Sequence, residues 1–138
     1  MIVCIDTNAL LPILSLSHRW GVILDAWIDG RFAWAMSTEI LAEYEELVVS
    51  RMGATRWREF VRLLEVVDAL QHNVVRISPS FRFQAIPGDP DDDKFADCAI
   101  VADADFIVTE DRHFDVLNNS AYTPRPLTPD EFLFRLTT

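Results

Sequence analysis

Four short apolar runs, set apart by segments of helical period, constrain this chain more than any other feature: Met1 to Ile5, Phe32 to Met36, Asn73 to Ile77 and Phe106 to Thr109. Runs of this length, rich in β-branched or aromatic residues and bounded by turn residues, read as buried strands. Between the first two, helices are predicted over Ala9 to about Ser17 and over Trp20 to Asp29. The second of these carries Trp20, Ile23, Leu24 and Trp27 at helical spacing, with Gly30 as its stop. Ser37 or Thr38 is predicted to cap a helix to about Met52, with Ile40, Leu41, Tyr44, Leu47 and Val48 on one face. Gly53 separates it from a further helix over about Thr55 to Leu70. Ser78 to Pro87 reads as loop. Asp89 as N-cap and Pro90 at the first helical position then open a helix to about Ala104. Thr128-Pro129-Asp130-Glu131 is a capping box that starts a last helix, ending near Leu136. Strands alternating with helices imply an α/β fold, three layers deep (α/β/α), around a mostly parallel sheet of four to five strands.

A chain of 138 residues, half of them hydrophobic, is expected to form one domain over 1–138. No apolar run approaches the roughly 20 residues that cross a bilayer, and MIVCIDTN lacks the features of a signal peptide, so a cytoplasmic location without a membrane partner is expected. Cys4 and Cys98 are each without a second Cys or a His at metal-ligand spacing, and are expected as buried, reduced thiols. A net charge of −10 repels a polyanion at range and argues against a sequence-blind electrostatic nucleic-acid binder. A nuclease is not excluded by that charge, because metal ions and a local basic patch reverse the field at a site.

The acidic residues are concentrated. GDPDDDKFADCAIVADADFIVTED, Gly88 to Asp111, crowds carboxylates around one lysine, Lys94. Like charges so close are either spread over a solvated surface or held together by cations. In an open parallel sheet the ligand site lies beyond the carboxyl ends of the strands. Asp6 directly follows the first strand, and Glu43 lies in the second turn of the helix after the second. Asp92 and Asp93 fall in the first turn of the helix before the fourth strand, and Asp111 follows that strand by two residues. Carboxylates from distant parts of the chain thus reach one edge. Oxygen donors unaccompanied by Cys or His suit Mg²⁺ or Mn²⁺, and the chemistry they suggest is phosphodiester hydrolysis.

IDTNALL, STEILAEYEELV, DPDDDKFADCAIVADADFIVTEDRHF and LTPDEFLFRL together resemble PIN-domain proteins, in the group of toxin components of toxin–antitoxin systems related to VapC ribonucleases. The resemblance covers essentially the whole chain. It implies a PIN-like fold and a Mg²⁺- or Mn²⁺-dependent endoribonuclease acting on RNA, with Asp6, Glu43, Asp92 and Asp111 as the metal-binding, catalytic set. It also implies Asn8 and Thr109 as supporting residues, an antitoxin that blocks the site, and a homodimer. The group usually carries Asn where this chain has Asp93, which leaves the ligand between Asp92 and Asp93 open.

Two other readings compete. One is a non-catalytic PIN-like protein that binds RNA or a partner; the other is a phosphate-handling receiver or phosphatase domain, against which stands a first strand ending in Asp-Thr-Asn. Asp89, Asp91, Asp103, Asp105 and Glu110 read as capping, structural or solvated, and Asp97 as facing either the same site or the surface. Arg51, Arg56, Arg58 and Arg62 form the concentrated basic stretch, by default a solvated face and otherwise a contact for RNA or an acidic partner. Trp20, Trp27, Trp34 and Trp57 are expected in the core or a subunit interface.

Overall fold

The computed structural model describes residues 1–78, 83, 85, 86 and 90–138, with the side chains of 90–92 left out of the description. Five strands form one sheet: β1 (Ile2–Ile5), β2 (Ala33–Ser37), β3 (Val74–Ile77), β4 (Phe106–Val108) and β5 (Arg125–Leu127). Their order is β3-β2-β1-β4-β5 and every pairing is parallel. Helices flank the sheet: α1 (Thr7–Leu14) and α2 (Gly21–Ile28) precede β2, α3 (Thr38–Met52) and α4 (Ala54–Gln71) precede β3, α5 (Pro90–Val101) precedes β4, and α6 (Pro129–Thr137) closes the chain. The expected α/β architecture is the observed one, with five strands.

Each strand returns through helices, so all five carboxyl ends share one edge. The chain builds outward from β1 through β2 to β3, then restarts on the other side of β1 with β4 and β5. The reversal falls between β1 and β4, where adjacent connections diverge and leave a crevice. Asp6 and Thr109, the residues that follow these two strands, stand at that crevice.

Local chemistry explains most boundaries. Asp6 is extended (φ −69°, ψ 150°) and its carboxylate accepts the Thr7 N–H, so α1 begins at Thr7, earlier than the expected Ala9. It ends at Leu14, where the Ser15 N–H turns back to the Pro12 carbonyl, short of the expected Ser17. Ser37 Oγ accepts the Ile40 N–H at 3.2 Å to start α3, and the Thr128–Glu131 capping box starts α6 with both reciprocal bonds at 3.1 Å. Gly53, at φ 96°, turns α3 into α4 in a conformation that side-chain-bearing residues rarely adopt. The expected Asp89 cap lies outside the described residues, and α5 stops at Val101, before Ala104. A 3₁₀ helix over Arg112–Asn119, capped by Asp111, was not anticipated.

The core is aromatic on the β2 side. Trp34, fully buried, packs edge-on against Trp27 with ring centres 5.5 Å apart, and meets Tyr44 and Phe60 at 6.0 and 5.6 Å. These rings come from α2, α3 and α4, so one residue of β2 joins three helices. Trp20 and Trp27 are also buried, and Trp57 is half-buried beside Phe60. Tyr44 donates its hydroxyl to the carbonyl of Ile5, the residue before Asp6, and burial pushes its pKa well above the usual phenol range. Asn73 fastens the return into β3 by donating to the Trp27 and Phe32 carbonyls at 2.7 and 3.3 Å.

Cys4 and Cys98 are buried and unbridged, as expected, but the fold brings them together across β1 and α5. A hydrogen bond to Cys98, reinforced by burial, pushes the Cys4 thiol well above its ordinary range, which keeps it an unreactive packing residue. No described helix is long and apolar enough to cross a membrane.

Candidate functional site

Asp6 is nearly inaccessible, with 4% of its surface exposed, and both of its oxygens are engaged. Oδ1 accepts the Thr7 N–H at 2.7 Å, and Oδ2 accepts the Thr109 hydroxyl at 2.7 Å. Thr109 in turn accepts the Asp111 N–H at 2.9 Å, so the carboxylate after β1 is cross-linked to the turn after β4. Burial is the main cause that raises the Asp6 pKa, to about 6, against the lowering effect of its two hydrogen bonds. The negative fields of Glu43 and Asp111 add to the rise. Two of the other expected carboxylates, Glu43 and Asp111, therefore act on Asp6 across the crevice.

Glu43 reaches this group from the second turn of α3. Its Oε2 accepts the hydroxyl of Thr7, and its Oε1 lies 2.8 Å from Lys94 Nζ on α5. Thr7 thus serves two carboxylates, Asp6 through its backbone and Glu43 through its side chain. Neither Thr7 nor this contact of Lys94 was expected. The only sequence signal for Thr7 is its place inside Asp-Thr-Asn, where a hydroxyl one residue past a buried carboxylate faces whatever that carboxylate faces.

Asp111 is half-buried; its Oδ1 accepts the His113 N–H at 2.9 Å and lies 3.4 Å from His113 Nδ1. Asn8 is exposed and supports the site through the backbone, its Oδ1 accepting the Glu110 N–H at 3.2 Å. Asp93 is engaged by the segment before α5: its Oδ1 accepts the Ile86 N–H at 3.1 Å. The side chain of Asp92 lies outside the described residues. Asp97, one turn after Asp93, is buried rather than on the surface, and its Oδ1 accepts the Phe83 N–H at 3.0 Å. Asp93 and Asp97 each bind a backbone N–H of the segment before the helix.

Among the described residues, no three His, Cys, Asp or Glu side chains form one group that could hold a metal ion. The donor chemistry nevertheless fits a hard divalent cation. Every acidic group brought to the crevice offers carboxylate oxygen, and a buried carboxylate with a raised pKa between two negative neighbours is stabilised by a positive charge.

Replacing Thr109 by Val tests how the carboxylate is held. The shape is kept while the 2.7 Å bond to Asp6 is lost, and a hydrogen bond to a charged group contributes about 1.5–3 kcal/mol. The Asp6 pKa is expected to rise further, read as an upward shift of the acid limb of any pH–activity profile, with the far-ultraviolet circular dichroism spectrum unchanged. An unmoved limb contradicts the assignment.

The basic stretch sits on the α3–α4 hairpin. Arg51, Arg58 and Arg62 are exposed, whereas Arg56 bonds the Leu14 carbonyl at 2.5 Å and Glu59 at 3.3 Å. Across the molecule, Arg19 clamps Asp130 at 2.7 and 2.8 Å, and Trp20 Nε1 adds a bond at 2.8 Å, tying the α1–α2 loop to α6.

The topology agrees with the comparisons to known proteins. The PIN domain (PIN_3) family model matches residues 2–113, a span that contains Asp6, Glu43, Asp92 and Asp111. The chain is also similar in structure to the PIN domain of T. brucei RRP44. The TM-score is 0.54 at 15% identity, over 99% of this chain and 79% of that one, a likeness of fold. No curated protein matches significantly. A family model spanning most of the chain, a five-stranded parallel sheet of the matching fold and carboxylates gathered at its switch point lead to one conclusion: the chain belongs to the PIN-domain family, whose fold is generally that of nucleases.

Proposed function

We propose that this protein is a Mg²⁺- or Mn²⁺-dependent endoribonuclease, and that Asp6, Glu43, Asp111 and a carboxylate from the first turn of α5, Asp92 before Asp93, form its site. The observation that carries this reading is the buried Asp6, its pKa raised to about 6 by burial and by Glu43 and Asp111, in a nuclease fold family. One oxygen of Asp93 is held by the Ile86 N–H, and the resemblance to PIN-domain proteins supports Asp92 as the fourth carboxylate. A divalent ion bound there supplies charge neutralisation at the phosphodiester and acidifies a water. The protein's own contribution is preorganisation. Thr109 and Thr7 fix the two oxygens of Asp6, Thr7 and Lys94 fix those of Glu43, and Asn8 holds the turn that carries Asp111.

The family assignment displaces the receiver or phosphatase reading. Resemblance to VapC-related proteins supports a toxin in a toxin–antitoxin pair, acting in the cytoplasm as a homodimer and restrained by an antitoxin. Incubating the purified protein with RNA in Mg²⁺, in Mn²⁺ and in EDTA tests the activity. Cleavage in either metal and none in EDTA is expected, and RNA left intact in all three rejects the proposal. The ion pair of Lys94 with Glu43 favours a second reading, a PIN protein that binds RNA or a partner without turnover. That reading requires function to survive in an Asp111→Asn variant.

A further inference from the structure

Glu43 is held at both oxygens by residues from other elements, and one of the holders is unusual for this chain. Lys94 is its only lysine; every other lysine-or-arginine position is an arginine. The pair with Glu43 is sheltered, with the two side chains 19% and 30% exposed, and Nζ stands 2.8 Å from Oε1. Arginine at such a place would grip the carboxylate through a planar two-pronged fork. A lysine ammonium is a compact charge on a flexible stem and releases an oxygen by rotating away.

Glu43 contributes to the negative field on Asp6, so a Glu43 carboxylate without a nearby cation would sit in an uncompensated acidic crevice. Lys94 provides that cation from within the chain. A divalent ion arriving at the same carboxylate meets the ammonium as a like charge at short range, and the repulsion between them is too strong for both to keep the same oxygen. Resting on the metal-dependent reading above, we propose that Lys94 is the resident counter-ion of Glu43 in the metal-free protein, a positioning residue that cedes Oε1 to the divalent ion. Lys94 holds Glu43 in its loaded orientation beforehand and sets how tightly the ion binds, because every binding event must displace it. The displaced ammonium stays tethered at the mouth of the site, where the phosphate of a nucleic-acid substrate is the anion it meets.

The single lysine makes the exchange observable without turnover. Protein grown with isotope-labelled lysine gives one lysine side-chain signal by NMR, followed during a Mg²⁺ titration while thermal melting reports binding independently. The Lys94 signal is expected to move in step with binding. Lys94→Met is expected to bind Mg²⁺ on the order of tenfold more tightly, as removal of one like charge at a sheltered site implies, whereas Lys94→Arg gains nothing. A lysine signal that stays fixed at Mg²⁺ saturation overturns the proposal, and so does a Lys94→Met protein that is folded and binds Mg²⁺ no better than the parent. If Mg²⁺ binds and RNA is cleaved while the signal stays fixed, this inference alone fails. If Mg²⁺ binds to none of the proteins, the metal-dependent reading fails and takes this one with it.

Discussion

Asp6→Asn is expected to abolish RNA cleavage and, in the same molecule, to stabilise the metal-free protein at neutral pH. The sign follows from the raised pKa. An aspartate at 3.8 in the unfolded chain and about 6 in the folded one binds an extra proton in the folded state between those values. Its favourable contribution is complete below about 3.8 and is lost as pH rises through about 6. Above that, the ionised buried carboxylate costs up to about 3 kcal/mol. Asparagine keeps the shape and an oxygen for the Thr7 N–H but carries no charge. Its advantage over the parent should therefore be full at pH 7.5 in EDTA and vanish as pH falls towards 4. Urea unfolding at several pH values measures the difference. Mg²⁺ should raise the melting temperature of the parent and leave the variant unmoved, and cleavage should fall at least about a hundredfold. A variant that cleaves normally, or is the less stable protein at pH 7.5 without metal, contradicts this account.

The second large effect is structural. Trp34→Ala is expected to cost about 3–5 kcal/mol, the range for removing a large aromatic side chain from a packed core. That is a large fraction of the total stability of an ordinary domain. Trp34 is fully buried and is the ring that Trp27, Tyr44 and Phe60 share, so its loss leaves a void that three helices border and none can fill alone. Because Tyr44 also holds the carbonyl before Asp6, the damage should reach the crevice. Equilibrium unfolding in urea gives the number, and a loss below about 1 kcal/mol would show that the cluster collapses easily.

Much of the fold was legible because its signals are local. Ser37 ahead of Ile40, the reciprocal pair Thr128 and Glu131, and Gly53 between two apolar periodicities each announce a boundary within a few residues. Asp6 and Asp111 could be placed beyond strand ends from chain order alone, since parallel strands put all their carboxyl ends on one edge. What holds Glu43 could not. The Thr7 to Glu43 and Lys94 to Glu43 bonds span 36 and 51 positions, and no periodicity encodes a contact between single side chains at that separation. For Asp97, burial removes the surface alternative and leaves the site-facing one. Its Oδ1 accepts the backbone N–H of Phe83, in a loop with no pattern, so no local signal marks a buried carboxylate there. The 3₁₀ helix was missed because it follows a three-residue spacing over a mixed polar stretch, where hydrophobic periodicity is a poor guide.

Pro126 occupies the middle of β5, at the outer margin of the sheet. Its neighbours face inward: the Arg125 N–H meets the Asp105 carbonyl at 3.1 Å, and the Leu127 carbonyl receives the Thr109 N–H at 2.9 Å. Alternation along a strand then assigns the open side to residue 126, where an imino acid has no hydrogen to offer. A further strand laid against this margin would find its central donor missing, which discourages sheet-to-sheet polymerisation and amyloid-like recruitment there. Self-association across this flank is left to side chains.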